Sequence, residues 1–496
     1  MKPPIALPAA LHTGVPRRVL VRGLVGTFLL AIGGVGAGAV PGIKDAVAAR
    51  LHLEWLQHND VAHTVCAVVV LFGVVLLTSA WWQLRPLLDR LEPRSLLVVA
   101  GLWSLPLLLA PPLFSRDVFA YAGQGHLVAN HIDPYRFGPG DLEPTGPWSV
   151  GVDNVWRFTP SPYGPVWLWL AGRIVVLVGD HLVPAVILLR GLAIVGLLLI
   201  AWALPRLARA HGVPAQRALW LGLANPLILI HGVGGAHNDT LMVGLLVCGL
   251  AVAGRSPTTV RLVAATMLIT VAALVKLPAL AALGFLPMLL PSWGTRLRAA
   301  AVVAITAAAT GFGLTEATGL GWGWLHTLDA GSARLSIFSP LTGVGVFLGN
   351  ALQKVGLVDQ PDTATRLVLA AGLATAGLLA LTLLLRSERL GAMRALGLTL
   401  VAVVALGPIV QPWYLLWGMV LLAAVGGEKV LLALGAVSVA LCLAVLPNGR
   451  SLVRPPLYGA PVLAAVALAA WEVRRSTQKI LHETPPEPAE QVPVSA

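Results

Sequence analysis

The stretch VAHTVCAVVVLFGVVLLTSAWWQLRPLLDR, residues 61–90, decides the fold. Residues 61–82 carry no charged side chain apart from His63, and about 20 such residues cross a bilayer as a helix. Arg85, Asp89 and Arg90 follow at once, the basic stop that membrane proteins keep on the cytoplasmic side. Working outward in both directions, the same alternation of apolar run and short arginine cluster recurs along nearly the whole chain.

Composition agrees. Of 496 residues, 57% are hydrophobic and 11% charged, against about 25% charged in a soluble domain; the mean hydropathy is +0.82. The net charge of +12 does not point to nucleic acid, because the arginines lie between apolar runs as the positive-inside bias requires. Cys66, Cys248 and Cys442 are far apart within apolar runs and show neither a disulfide framework nor metal-ligand spacing.

The expected fold is therefore all-α, a polytopic transmembrane bundle of about 12–14 spans. Arg17, Arg18 and Arg22 precede a run reaching about Val40, longer than a cleaved signal tolerates, so an uncleaved signal anchor is expected; the small residues Ala46 to Ala49 leave cleavage open. Residues 1–475 form the integral-membrane unit. Residues 476–496, rich in Pro and Glu, read as a disordered cytoplasmic tail.

Charge sets the orientation. With the N-terminus inside, the third helix (about 95–113) exits into a long outer segment, Phe114 to Pro165. Treating 166–178 and 339–355 as interfacial or re-entrant helices keeps the basic turns at Arg206–Arg217, Arg255–Arg261, Arg296–Arg298, Arg386–Arg394 and Arg474–Lys479 in the cytoplasm. Both termini are then cytoplasmic. The outer face receives residues 114–165, 232–239, 276–278, 319–334, 410–414 and 448–458.

That face holds the residues able to do chemistry. Asp117, Tyr121 and Gln124 fall at i, i+4 and i+7, a polar stripe at helical spacing; Val118, Ala122 and Ala129 make a second face that suits the membrane surface. Asp117 suits a general base near a lipid-borne substrate, and equally suits an ion pair with Arg116 or a helix cap. Asp133-Pro134 opens a turn. Tyr163 and Trp167 could stack a sugar, although tryptophans here fit an interfacial aromatic belt more simply. His231, His237, Asn238 and Asp239 occupy one outer turn, where His and Asp suit a phosphate or sugar hydroxyl and Asn238 or Asp239 also suits a cap. Lys276 interrupts apolar sequence, a placement costing about 2.5–3.5 kcal/mol at a helix centre and functional by default; snorkelling is its bland alternative. With Arg190, Arg334 and His237 it is a candidate for binding the donor phosphate. Gln411, Trp413 and Tyr414 open a further span and offer hydrogen bonds or stacking to a sugar. No ligand set for a metal can be assembled from spacing; no cofactor is expected, and a divalent cation stays open.

Arg116-Asp-Val-Phe-Ala-Tyr-Ala-Gly-Gln-Gly, His131-Ile-Asp-Pro-Tyr, Thr159-Pro-Ser-Pro-Tyr-Gly-Pro, His237-Asn-Asp and Gln411-Pro-Trp-Tyr-Leu-Leu-Trp, spread over about 115 to 417, together resemble the GT-C glycosyltransferases. They are most similar to the actinobacterial polyprenyl-phosphomannose-dependent α-1,6-mannosyltransferases that build lipomannan and lipoarabinomannan. The resemblance implies a GT-C bundle whose first outer loop carries interfacial helices. It also implies a polyprenyl-phosphate-mannose donor, a mannan or lipoglycan acceptor of the cell wall, a site on the outer face of the plasma membrane, and inversion with Asp117 as the catalytic carboxylate. The competing readings are a flippase for a polyprenyl-linked sugar, a transferase of another hexose or pentose, and a non-catalytic envelope scaffold.

Overall fold

The computed structural model describes residues 14–40, 53, 55–179, 181–327 and 339–450. Arg334, the small residues at 46–49, the basic turn at 474–479 and the tail at 476–496 lie outside them.

Among the described residues the chain is a helical bundle without strands, as the alternation of apolar runs and basic stops requires. Its helices of eight or more residues are α1 (Arg17–Ala37), α2 (Asp60–Leu84), α3 (Pro93–Leu109), α4 (Asp117–Ala129), α5 (Pro165–Leu177), α6 (Leu182–Ala210), α7 (Ala215–Gly222), α8 (Asp239–Ala253), α9 (Thr259–Val275), α10 (Trp293–Thr318), α11 (Pro340–Lys354), α12 (Pro361–Leu385), α13 (Ala392–Leu406), α14 (Leu416–Val425) and α15 (Glu428–Cys442).

Five helices are long and apolar enough to cross a membrane, the spans containing α1, α2, α6, α10 and α12. A sixth is broken: residues 226–234 and α8 meet at 117°. Shorter apolar helices include α3, α5, α9 and α13. The protein is thus a multi-pass membrane protein. At 1.5 Å per residue, the 13 residues of α5 reach only about 20 Å, short of the roughly 30 Å hydrocarbon core.

Side chains on lipid-facing surfaces gain nothing by packing together, so small residues let backbones meet. On α6 and α8, a Cβ added to Gly244 would lie 2.5 Å from the Gly196 carbonyl; only glycine permits that approach.

The basic turns expected on one face do meet. Arg217 pairs with Asp89 at 2.8 Å, Arg85 with Glu428 at 2.8 Å, and Arg296 with Glu388. Arg255 donates to the carbonyl of Ala210. At the opposite ends of these helices, the segments expected on the other face meet each other. Leu113 N donates to the Gly234 carbonyl and Phe114 N to that of Pro447.

Two sequence expectations need correction. Val118 and Ala122 are fully buried, so that face of α4 does not lie on the membrane surface; it packs inside, with α5 and α6 among its neighbours. Trp167 is also fully buried, edge-on to Tyr121 at 5.0 Å, and belongs to the interior rather than to an aromatic belt. Hydropathy cannot distinguish these environments, because lipid and protein interior are equally apolar.

Candidate active site

The site forms where the broken span meets α4. Residues 229–234 run as a wide π turn, and Ala236 takes a left-handed φ of 54°. That conformation is costly for a residue with a Cβ and persists only where surrounding structure enforces it. Its consequence is local: the chain turns sharply and places His237, Asn238 and Asp239, all 0% exposed, against α4 and α14. Phe114, three residues before Asp117, has φ 61°, so the backbone is strained on each of the two segments that lead into the site.

Asp117 occupies the first turn of α4. Its side chain is 19% exposed, and one carboxylate oxygen lies 3.5 Å from Nδ1 of His237, ion-pair distance rather than a hydrogen bond. Its contact is therefore His237, not Arg116. The His237 ring stacks on Trp413, centroids 3.7 Å apart, with His231 5.0 Å from the same indole. One turn along α4, the Tyr121 hydroxyl donates to Asn238 Oδ1 at 3.3 Å, while its ring meets Tyr163 edge-on at 5.2 Å. Gln124 accepts from Ser161 Oγ at 3.1 Å, which ties the stripe on α4 to the loop carrying Tyr163.

Lys276 and Asp239 form the floor. Lys276 Nζ donates to both oxygens of Asp239 at 2.8 and 2.9 Å, and Trp417 Nε1 adds a third bond at 2.6 Å. Nζ also lies 4.5 Å from the Tyr414 ring centroid, and Tyr414 stacks on Trp417 at 4.4 Å. Burying a charge is tolerated when it is paired and hydrogen-bonded, and here both members are. The expected free phosphate anchor is instead a neutralised pair that bolts the broken span to α9 and α14.

Arg190 is committed as well. Its guanidinium donates to the carbonyls of Leu108, Ala110 and Gly234 at 2.9, 2.7 and 3.4 Å, clamping the end of α3 to the broken span. Asp133 accepts from the Tyr135 amide at 2.8 Å, the local turn its Asp-Pro sequence suggests. Gln411 precedes the 3₁₀ turn of Pro412–Leu415 without capping it through its side chain.

Buried polar groups are nearly always hydrogen-bonded. Here His231 Nδ1, both ring nitrogens of His237, Asn238 Nδ2 and Trp413 Nε1 are buried with no hydrogen-bond partner. This set can satisfy the hydroxyls of a sugar. Among the described residues no three His, Cys, Asp or Glu side chains gather into a metal-binding group. Sequence reasoning missed Trp417 as the second partner of Asp239; its only signal was membership of the Gln411–Trp417 segment.

Comparison with known proteins places the whole chain in a family. Residues 20–292 match a family model described as α-(1→6)-mannopyranosyltransferase, N-terminal domain, and residues 341–475 match one described as the MptB C-terminal domain. An α-(1→6)-mannopyranosyltransferase of Mycobacterium tuberculosis is 36% identical, over 82% of this chain and 78% of its own. The α-(1→6)-mannopyranosyltransferase B of Corynebacterium glutamicum is 31% identical, over 93% and 83%. The α-(1→6)-mannopyranosyltransferase A of M. tuberculosis is 32% identical, over 93% and 90%. No solved structure matches. On these matches, the chain belongs to the α-(1→6)-mannopyranosyltransferase family of glycosyltransferases.

Proposed function

We propose that this protein transfers mannose from polyprenyl-phosphate-mannose to a growing α-(1→6)-linked mannan or lipoglycan at the outer face of the plasma membrane, with inversion and with Asp117 as general base. The acceptor hydroxyl oxygen attacks C1 of the β-linked mannose from the side opposite the phosphate. The C1–O bond to phosphate breaks, its electron pair leaves on polyprenyl phosphate, and the acceptor proton passes to Asp117. The product is α-linked.

The observation that carries this reading is the placement of Asp117. It is a partly exposed carboxylate facing His237, beside buried polar atoms suited to sugar hydroxyls. A positioned base contributes about 10²–10⁴-fold when it removes a proton in the transition state. His237, stacked on Trp413, restrains the carboxylate from one side. The positive-inside distribution of arginines supports the outer-face location and the cytoplasmic termini.

One observation favours a second reading. Broken helices with polar residues at the break are also the binding elements of transporters, and residues 226–253 have that form.

One experiment separates the two. The full chain in nanodiscs is given radiolabelled polyprenyl-phosphate-mannose and an α-(1→6)-mannooligosaccharide. An elongated product with a new α-(1→6) linkage, in step with polyprenyl phosphate release, is expected. Absence of product from this donor, with transfer from a nucleotide sugar instead, sinks the proposal. In sealed vesicles, movement of the lipid across the bilayer without product favours the flippase.

A further inference from the structure

Two of the cations singled out in the sequence are spent. Lys276 is neutralised by Asp239 and Arg190 clamps backbone carbonyls. A leaving lipid phosphate gains negative charge as its bond to the sugar breaks, and fixed cations aimed at that charge are a large part of catalysis. Three other arginines lie in or beside the segments that meet around the start of α4.

Arg116 immediately precedes Asp117, at the N-cap position of α4, where its side chain caps nothing. Arg157 ends the short helix Asn154–Arg157 in the loop that covers α4. Arg450 follows the turn at Asn448-Gly449, which is pinned to the same place. Phe114 N donates to the Pro447 carbonyl at 2.8 Å, and a Cβ on Gly449 would lie 3.2 Å from Ser115 Cα. Among the described residues none of the three pairs with a carboxylate within 4.0 Å. Nε of Arg116 and Nε of Arg157 are both buried without a partner, while Arg157 Nη2 makes one bond, to the Val150 carbonyl at 3.2 Å.

We propose that Arg116, Arg157 and Arg450 form the seat for the phosphate of the lipid donor, on the far side of the sugar from the Asp117 carboxylate. This deepens the mannosyl-transfer reading and rests on it. In an inverting displacement the base and the leaving group lie on opposite faces of the anomeric carbon, so base and phosphate ligands must be neighbours separated by one sugar. Adjacent Cα atoms are about 3.8 Å apart, and an arginine beside the base has the length to reach the departing phosphate. Guanidinium groups also match phosphate oxygens in pairs, as an ammonium does not.

The electrostatics agree. Burial lowers the pKa of Arg116 from its ordinary value; Asp153 pushes it back up, and Arg450 and Arg157 lower it further. Asp153, the one nearby carboxylate in that balance, also caps the Asn154–Arg157 helix, accepting from Val155 N at 3.0 Å. Arg116 is thus partly buried beside two like charges, an arrangement that a phosphate relieves.

The test is a binding titration of the full chain in phosphatidylcholine nanodiscs with undecaprenyl phosphate, followed by tryptophan fluorescence. R116Q and R157Q are expected to weaken binding about tenfold or more, each tenfold being about 1.4 kcal/mol. R450Q moves the same way, and R116K recovers part of the loss. Unphosphorylated undecaprenol is expected to discriminate none of the variants. Wild-type affinity in R116Q and R157Q of unchanged melting temperature overturns the assignment. Inorganic phosphate competing at equal molar potency overturns it too, in favour of a free-anion site. A wild-type chain that binds no undecaprenyl phosphate overturns instead the mannosyl-transfer reading on which the assignment rests.

Discussion

Lys276 and Asp239, 37 residues apart, form a closed ion pair beneath the candidate active site, with Nζ 2.8 and 2.9 Å from the two carboxylate oxygens and side chains 10% and 0% exposed. Removing one partner strands the other in a medium that cannot solvate it, at a cost of about 3–5 kcal/mol. K276M and D239N are each expected to lower the denaturation midpoint in detergent, and the double variant to lose less than the sum of the singles. Additive losses in a double-mutant cycle contradict a direct pair.

Arg190 is the second cation with a structural reading. R190M leaves the carbonyls of Leu108, Ala110 and Gly234 without their common donor. The expected result is a stability loss on the order of 3 kcal/mol, with the remaining folded enzyme keeping its KM for donor. A raised donor KM at unchanged stability would return Arg190 to the phosphate.

His237 touches Asp117 at 3.5 Å and lies flat on Trp413. H237A is expected to lower kcat about tenfold, roughly 1.4 kcal/mol of transition-state stabilisation, any accompanying rise in KM reporting the lost sugar contact of its ring nitrogens. W413L should share the defect by letting the ring tilt, whereas W413F should retain more of the rate. A change in KM alone argues that His237 binds donor and does not position the base.

Gly244 faces the backbone of Gly196 across α6 and α8. The methyl of G244A meets a carbonyl oxygen that cannot rotate away, so helix α8 must shift. Overpacking of this kind costs about 1–3 kcal/mol, and because α8 begins at Asp239 the shift reaches the site. Thermal unfolding in detergent and steady-state transfer rate should both fall; an unchanged melting temperature contradicts the close crossing.

Much of the fold is legible in the chain because the bilayer imposes it: run lengths and arginine positions mark helices and sort their ends. The segments containing Asp117, His237, Lys276 and Trp413 are likewise visible as polar interruptions gathered on one side. Pairing is what one-dimensional reading cannot supply. Nothing near Lys276 shows that it reaches Asp239, or that Trp417, 178 residues from Asp239, completes that carboxylate. Arg190 looks like an unmatched intramembrane cation until three carbonyls appear around it. Trp167 and Val118 misread for a related reason, since a buried face and a lipid face have the same composition. Arg116 reads in the sequence only as a partner for Asp117, because Arg157 and Arg450 come from other parts of the chain.

The central claim is that Asp117 takes the acceptor proton. The direct test is Asp117→Asn in the full-length protein, measuring mannose transfer from polyprenyl-phosphate-mannose alongside melting temperature and undecaprenyl phosphate affinity. The account predicts a rate loss of about 10²–10⁴-fold with folding and lipid-phosphate binding intact. Transfer at close to the wild-type rate by a folded Asp117→Asn protein would contradict it.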